Sequence, residues 1–269
     1  MKVAAVHMNT IHGKINKNIE ELQRAVHLLK KEDVQFALFP ELNISGYIRD
    51  KKELEELLIK KDYVLKELEH ISATSGISFA AGFPEMINSN FYIAQHLFSK
   101  GKHKGTHRKT HLSPNEQNIY AESNDLKTFM TEELNIGMQL CFESHMPEIS
   151  YYQASKGANI LCMAYASPKE TGNTKMNRFM RFLSARAYDN ACYVIACNMA
   201  STDGSGTYFP GVSLAFDPKG NLLSHSYGDH TDFCIAKVEP EETKRIKNAQ
   251  MAWFNKFKRK ELMRKIYNY

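Results

Sequence analysis

Apolar residues along this chain fall into short runs separated by longer stretches with helical spacing. Lys2 to Met8 reads as a first strand. Asn18 to Lys30 reads as an amphipathic helix with Ile19, Leu22, Val26 and Leu29 on one face. Phe36 to Phe39 predicts a short buried strand that ends at Pro40-Glu41. Glu53 to Ser72 predicts one long helix whose apolar stripe is Leu54, Leu57, Leu58, Val64, Leu65 and Leu68. Ser78 to Phe83 and Tyr92 to Ser99 read as strands, the latter closed by a turn at Lys100-Gly101-Lys102.

The second half repeats the alternation. Asn135 to Leu140 is a predicted strand, and Pro147 suits the first turn of a helix that ends near Gly157. Ile160 to Ala164 reads as a strand, Met176 to Asn190 as a helix, and Tyr193 to Asn198 as a strand. Gly211 to Phe216 and Leu222 to Ser226 flank the turn Asp217-Pro218-Lys219-Gly220 and predict a hairpin. No Ser/Gly/Pro-rich linker interrupts the series. The pattern predicts one α/β domain over residues 1–269, with a mixed sheet system, helices outside and residues 241–269 as a basic C-terminal tail.

Composition narrows the class. The 269 residues are 43% apolar and 24% charged, as expected of a soluble globular protein. The net charge of +5 is concentrated near the end, at Lys256, Lys258, Arg259, Lys260, Arg264 and Lys265. No aromatic-interleaved RNA motif or recognition-helix pattern accompanies that cluster, so it reads as a solvated helix face and not as a nucleic-acid site. The apolar run at the N-terminus is too short for a signal peptide, and no stretch approaches the roughly 18 apolar residues of a membrane span. The five cysteines, Cys141, Cys162, Cys192, Cys197 and Cys234, form no CxxC pair and mostly sit in apolar runs. They read as small buried hydrophobes in a reducing compartment, which predicts a cytoplasmic protein. The histidines lack ligand spacing and no Gly-rich phosphate loop is visible, so neither a metal nor an organic cofactor is expected.

Candidate chemistry lies where strands end. The run Asn135-Ile136-Gly137-Met138-Gln139-Leu140 stops at Cys141. Upstream are an isolated carboxylate, Glu41 in Phe39-Pro40-Glu41-Leu42, and an isolated ammonium, Lys109 in His107-Arg108-Lys109-Thr110-His111-Leu112. A thiol, a base and a cation are the parts needed for covalent attack on an unreactive carbonyl or nitrile carbon. A free thiol has a pKa near ~8.5, so a nucleophilic Cys141 needs Glu41 to take its proton or Lys109 to favour negative charge nearby.

Together these segments resemble the nitrilase superfamily of carbon–nitrogen hydrolases, in the order and at the spacing usual for that family. The likeness extends through Gly46-Tyr47, Pro147-Glu148, Gly157-Ala158-Asn159, Ala185-Arg186-Ala187-Tyr188-Asp189-Asn190 and Gly211-Val212-Ser213. It implies a four-layer αββα sandwich. It further implies that Cys141 is the nucleophile, Glu41 the general base and Lys109 the stabiliser of the tetrahedral intermediate. Glu116, in Leu112-Ser113-Pro114-Asn115-Glu116-Gln117, matches the family's second glutamate, which helps position the substrate amide. The backbone N–H of Phe142 is the natural second donor to an oxyanion.

Amide hydrolysis through a thioester at Cys141 is therefore the expected reaction, on a small molecule. Nitrile or N-carbamoyl hydrolysis, and acyl transfer to another acceptor, use the same residues. A binding protein that has kept only the fold is the rival from another class. Pocket walls are expected from Tyr47, Phe142, His145, Tyr165 and the polar stretch Ser201 to Tyr208. His145 stands where members often carry arginine, and Glu143 where they commonly carry the shorter aspartate. The resemblance also implies a homodimer or a multiple of it, with the chain end around Trp253, Phe254 and Phe257 reaching onto the partner subunit.

Overall fold

Two six-stranded sheets carry the apolar runs, and they repeat one pattern. In the computed structural model, which describes residues 1–202 and 206–267, the first sheet runs in the order Asp232–Lys237, Lys2–His7, Val34–Leu38, Ser78–Gly82, Ala94–Ser99 and Lys102–Arg108. The second runs Leu222–Gly228, Gly211–Phe216, Tyr193–Asn198, Ile160–Tyr165, Asn135–Leu140 and Thr128–Met130. In each, three parallel strands form the middle and antiparallel strands flank them. Parallel strands are stable only when covered on both faces. Every residue of Ile160–Tyr165 and of Tyr193–Asn198 is accordingly buried, whereas the edge strand Leu222–Gly228 is mostly open to solvent.

The sheets face each other across one apolar core that includes Val6, Phe36, Leu38, Leu140, Cys162, Ile195 and Cys197. Lys2–His7 packs on Tyr193–Asn198 and Gly211–Phe216. The helices Ile15–Lys31 and Lys61–Ser75 cover the outside of the first sheet, and Pro147–Ser155 with Gly172–Asn190 cover the outside of the second. Fully burying a phenylalanine contributes about 1.5–3 kcal/mol, and Phe36, Phe39, Phe79, Phe83 and Phe98 are all completely enclosed. The result is the helix–sheet–sheet–helix sandwich expected from the sequence motifs.

Four details differ from the pattern-based reading. The single helix expected over Glu53 to Ser72 is two, Lys51–Leu58 and Lys61–Ser75. Lys61 interrupts the apolar stripe, its ammonium pairs with buried Glu85 at 3.1 Å, and the chain turns at Ile59-Lys60, leaving Ile59 exposed. The strand expected from Tyr92 begins at Ala94, because Tyr92 belongs to a small ribbon of Glu85–Ile87 against Asn90–Tyr92. Lys102 opens a further strand, Lys102–Arg108, whose polar composition hid it; its neighbour on one side only is Ala94–Ser99. The last strand, Asp232–Lys237, likewise lies outside the elements expected from the pattern and pairs antiparallel with Lys2–His7.

After it, Pro240–Asn248 is a helix whose Lys247 ammonium donates to the Ala158 carbonyl at 2.7 Å. Lys258 lies over the ring of Tyr151 at 3.8 Å, and Lys260–Tyr267 is helical. Among the described residues no helix is long and apolar enough to cross a membrane.

Candidate active site

Glu41 follows the second parallel strand of the first sheet. The Phe39 N–H continues the ladder to the Ala80 carbonyl at 2.9 Å, and the chain then turns inward through Pro40. The turn lies directly against Gly82, where a Cβ would sit 2.2 Å from the Leu42 nitrogen. Only glycine admits that approach. The Gly82 N–H donates to Asn43 Oδ1 at 2.7 Å, and Gln95 Nε2 to the Phe39 carbonyl at 2.9 Å. Glu41 thus enters the interior on a rigid turn and is fully buried.

Lys109 continues the edge strand Lys102–Arg108. Its N–H donates to the Ile93 carbonyl at 2.9 Å and its own carbonyl accepts from Ser123 at 2.9 Å. The ammonium, also fully buried, donates to Glu41 Oε1 at 2.8 Å and to Glu116 Oε1 at 2.8 Å. Glu116 Oε1 accepts in addition from the Tyr47 hydroxyl at 2.8 Å, and Oε2 from the Ser113 N–H at 2.6 Å. A lone ammonium buried this deeply would lose its proton. Here burial works in that direction and the Glu41 carboxylate, Cys141 and Glu116 outweigh it, raising the Lys109 pKa.

Cys141 ends the first parallel strand of the second sheet and opens a 3₁₀ turn, Cys141–His145. Its φ of 37° lies in the left-handed region that non-glycine residues rarely adopt. Strain of this kind costs on the order of 1–3 kcal/mol and persists only where the surroundings over-determine it. The Ser144 hydroxyl donates to the Cys141 carbonyl at 2.7 Å, and Glu143 Oε2 accepts from the Leu140 N–H at 2.6 Å, so the bend is held on both sides. Phe142 is the second residue of the turn, where backbone N–H groups have no partner inside it.

Charge and burial set opposite tasks for thiol and carboxylate. Burial, with the Glu41 carboxylate next in weight, pushes the Cys141 thiol up to about 12, and Lys109 offsets only part of this. Burial also raises Glu41, to about 7, against the pull of Lys109 and with help from the charge of Glu116. The resting pair is therefore a neutral thiol beside a carboxyl group poised near neutrality.

The remaining predicted residues are distributed unevenly. Tyr47 lies with its ring 6.4 Å from that of Phe209 and its hydroxyl on Glu116, inside the cluster. His145 lies tilted against Phe182, with ring centroids 4.7 Å apart, and meets the edge of Phe142 at 6.3 Å. Burial, Arg178 and Arg186 lower its pKa, which keeps the imidazole uncharged near neutrality. Tyr165 is buried against Phe179, with ring centroids 4.3 Å apart, as part of the wall beneath the turn. Of the polar stretch 201–208, residues 203–205 lie outside the described residues; Tyr208 hydrogen-bonds Asp229 at 2.5 Å and accepts the Lys169 N–H at 3.0 Å.

Ala166 and Asn198 carry no signal in the sequence, and the parts played by Lys175 and Glu143 emerge only in the structure. The Ala166 N–H, just past the second parallel strand of the second sheet, donates to Glu41 Oε2 at 3.0 Å. Asn198 holds the next residue, accepting from the Ser167 N–H at 2.8 Å and donating to its carbonyl at 3.0 Å. Lys175 is completely buried beneath, its ammonium donating to Ser167 Oγ and the Pro168 carbonyl, both at 2.9 Å. A signal for Lys175 did exist: with Phe179, Leu183 and Ala187 it forms an i, i+4 series that all faces inward. Glu143 points inward and accepts from both ends of the site, from His107 and Thr110 as well as from Leu140. Among the described residues no group of three or more His, Cys, Asp or Glu side chains stands ready to hold a metal ion.

Comparison with known proteins bears on the family and the fold. A family model described as carbon–nitrogen hydrolase matches residues 2–248. An (R)-stereoselective amidase from Pseudomonas sp. is 23% identical over 83% of this chain and 80% of its own length. A nitrilase from Pyrococcus abyssi is 25% identical over 89% of this chain and 90% of its own. Among solved structures, a carbon–nitrogen hydrolase from Helicobacter pylori superposes with a TM-score of 0.89 at 18% identity, covering 100% of this chain and 98% of that one.

Proposed function

The chain belongs to the carbon–nitrogen hydrolase family, and on that premise we propose that it hydrolyses the carbon–nitrogen bond of a small amide through a thioester at Cys141. The observation that carries the reading is the Lys109 ammonium bridging two buried carboxylates in the cluster whose charges act on the Cys141 thiol. Buried charge of this density is costly, and it is retained where chemistry uses it.

Each group has a task that its environment suits. Glu41, as the carboxylate, takes the thiol proton while the sulfur attacks the amide carbon, so that no free thiolate need form in advance. Negative charge then develops on the amide oxygen, where the Lys109 ammonium and the Phe142 N–H act as donors. Collapse of the tetrahedral adduct breaks the carbon–nitrogen bond, and Glu41 returns its proton to the departing ammonia or amine. Water, deprotonated by Glu41, attacks the thioester, and the carboxylic acid leaves with the thiol restored. Glu116, fixed by Ser113 and Tyr47, keeps Lys109 charged and directed and offers an acceptor to the amide N–H.

The amide reading is preferred over nitrile hydrolysis because a neutral thiol paired with a base suits a leaving group that must be protonated. The test is a screen of small amides, nitriles and N-carbamoyl compounds for ammonia release, with intact-mass analysis of Cys141. Ammonia from amides and a transient acyl adduct on Cys141 are expected. Turnover of nitriles alone overturns the amide reading. Glu41→Gln is expected to prevent the adduct from forming, and normal accumulation of the adduct would remove Glu41 as the base for attack.

A dimer is expected to form on the outer helices of the second sheet, where Tyr152, Tyr188, Phe254 and Phe257 are exposed. Light scattering that reports a stable monomer at micromolar concentration would end this part of the reading.

A further inference from the structure

Glu143 is a completely buried carboxylate with donors on all sides. Oε1 accepts from the Thr110 N–H at 2.7 Å and the Thr110 hydroxyl at 2.6 Å; Oε2 accepts from His107 Nε2 at 2.8 Å and the Leu140 N–H at 2.6 Å. A carboxylate has about four lone-pair sites, and these donors fill them. They come from different sheets. His107 lies in Lys102–Arg108 of the first sheet and Thr110 directly follows Lys109, whereas Leu140 directly precedes Cys141 in the second. Lys109 and Cys141 are each one residue from a group that Glu143 grips.

His107 is the unusual member. Its side chain is wholly enclosed, and Nδ1 is a buried nitrogen without a hydrogen-bond partner among the described residues. Leaving such a group unsatisfied is destabilising, so an aliphatic or phenyl side chain would be the better core residue. The imidazole offers one thing they lack, an N–H aimed at Glu143 Oε2.

We propose that His107, acting through Glu143, is a positioning residue that fixes the Lys109 ammonium of one sheet against the Cys141 sulfur of the other. The proposal rests on the amidase reading above. Among the described residues no strand of one sheet pairs with a strand of the other; at this end the Ala200 N–H reaches the Met8 carbonyl at 2.9 Å, and side chains such as Glu143 set the placement around Lys109 and Cys141. The clamp also holds the N–H that enters the strained bend at Cys141. Because both reacting groups must lie within a few tenths of an ångström of their working places, a loosened clamp lowers the rate of attack more than it weakens binding. A misplacement of roughly 1 Å can cost about 10²-fold.

The test compares His107→Leu with His107→Gln, in full-length enzyme normalised to titrated active sites. Leucine removes the donor, whereas the glutamine side-chain amide places an N–H near that of Nε2. His107→Leu is expected to lower kcat by about 10- to 100-fold with KM nearly unchanged, and to slow alkylation of Cys141 by iodoacetamide. His107→Gln is expected to recover most of both. If the leucine variant does not fold, His107→Asn against His107→Gln carries the comparison, since the shorter amide falls short of Oε2; equal kcat in that pair overturns the proposal. Wild-type kcat per active site and wild-type alkylation in His107→Leu also overturn it. A general packing defect would lower Tm and the number of active sites in both variants without this split, and that outcome counts against the clamp. Activity surviving in Cys141→Ala would instead strike the amidase reading itself.

Discussion

The two halves of the molecule share a topology and divide the chemistry. In each, two parallel strands with intervening helices lead to a third, and antiparallel strands follow. The first half delivers Glu41, Lys109 and Glu116, a closed set of charges that already satisfy one another. The second delivers an uncharged sulfur on a strained bend and, at the end of its second parallel strand, a backbone N–H to Glu41. Charges can be buried together because they pair, but a nucleophile must keep its reacting face free. Placing them on separate sheets lets the first half be electrostatically finished while the second holds the tension. The interface between them then becomes the site.

The most severe way to break this division is to remove the group that carries the reaction. Cys141→Ala is expected to lower turnover by on the order of 10⁴-fold or more while leaving the fold intact, as circular dichroism and Tm would show. Retention of even about a tenth of wild-type activity would contradict a covalent route.

Lys109→Met strikes the other half. It removes a donor to the oxyanion, at about 10²–10³-fold in kcat, and leaves Glu41 and Glu116 facing each other unpaired. Breaking a buried pair in this way costs about 3–5 kcal/mol, so a clear fall in Tm should accompany the loss of rate. The contrast with Cys141→Ala is the point: loss of activity without loss of stability in one half, and loss of both in the other. Equal Tm values for the two variants would refute it.

Gly82→Ala tests the turn that aims Glu41. The added methyl group would stand 2.2 Å from the Leu42 nitrogen, a backbone atom that cannot step aside alone. Displacing the turn is expected to cost about 1–3 kcal/mol and roughly tenfold or more in kcat, with alkylation of Cys141 also slowed. An unchanged kcat would show that the close approach does not set the base.

The gentlest probe is pH. Glu41 is raised to about 7, so below that value it is mostly protonated and cannot accept from the thiol. kcat/KM should fall about tenfold per pH unit on the acid side and level off above it. Stability has the opposite trend from this group: a carboxyl whose folded pKa exceeds its unfolded value favours the fold below about pH 4.5, and that contribution is lost as pH rises through about 7. Glu41→Gln should flatten that part of the stability profile. An acid limb near pH 4 in the wild type would show that Lys109 controls Glu41 more than burial does.

How much of this could be read from residues alone follows from where each signal resides. Glu41 and Cys141 are single polar groups at the ends of apolar strands, which makes them visible in one dimension, whereas Lys109 ends a polar strand and is visible through its motif. The central strands were equally plain, because they are buried on both faces and written in apolar residues. Lys102–Arg108 was not, since an edge strand of lysine, histidine and threonine has no apolar run to reveal it. The split of the helix at Ile59-Lys60 depends on Glu85, which is distant in sequence. In the sequence Glu143 shows only as a departure from aspartate; besides the nearby Leu140 N–H, its inward position is set by His107 and Thr110, which are 36 and 33 residues away. Long-range partners leave no local pattern.

The strand Asp232–Lys237 has a consequence for how the chain is made. It closes the edge of the first sheet by pairing Lys2 with Lys237, and the Met1 amino group reaches the Val238 carbonyl at 2.9 Å. During synthesis the first half therefore emerges with Lys2–His7 unpaired along one side, and it stays so until almost the entire second half has followed. An open edge of buried-type residues is a template for pairing with other chains. Vectorial folding of this protein thus passes through an exposed stage that ends only when the late strand arrives, and a ribosome stalled before residue 232 would hold a nascent chain primed to aggregate.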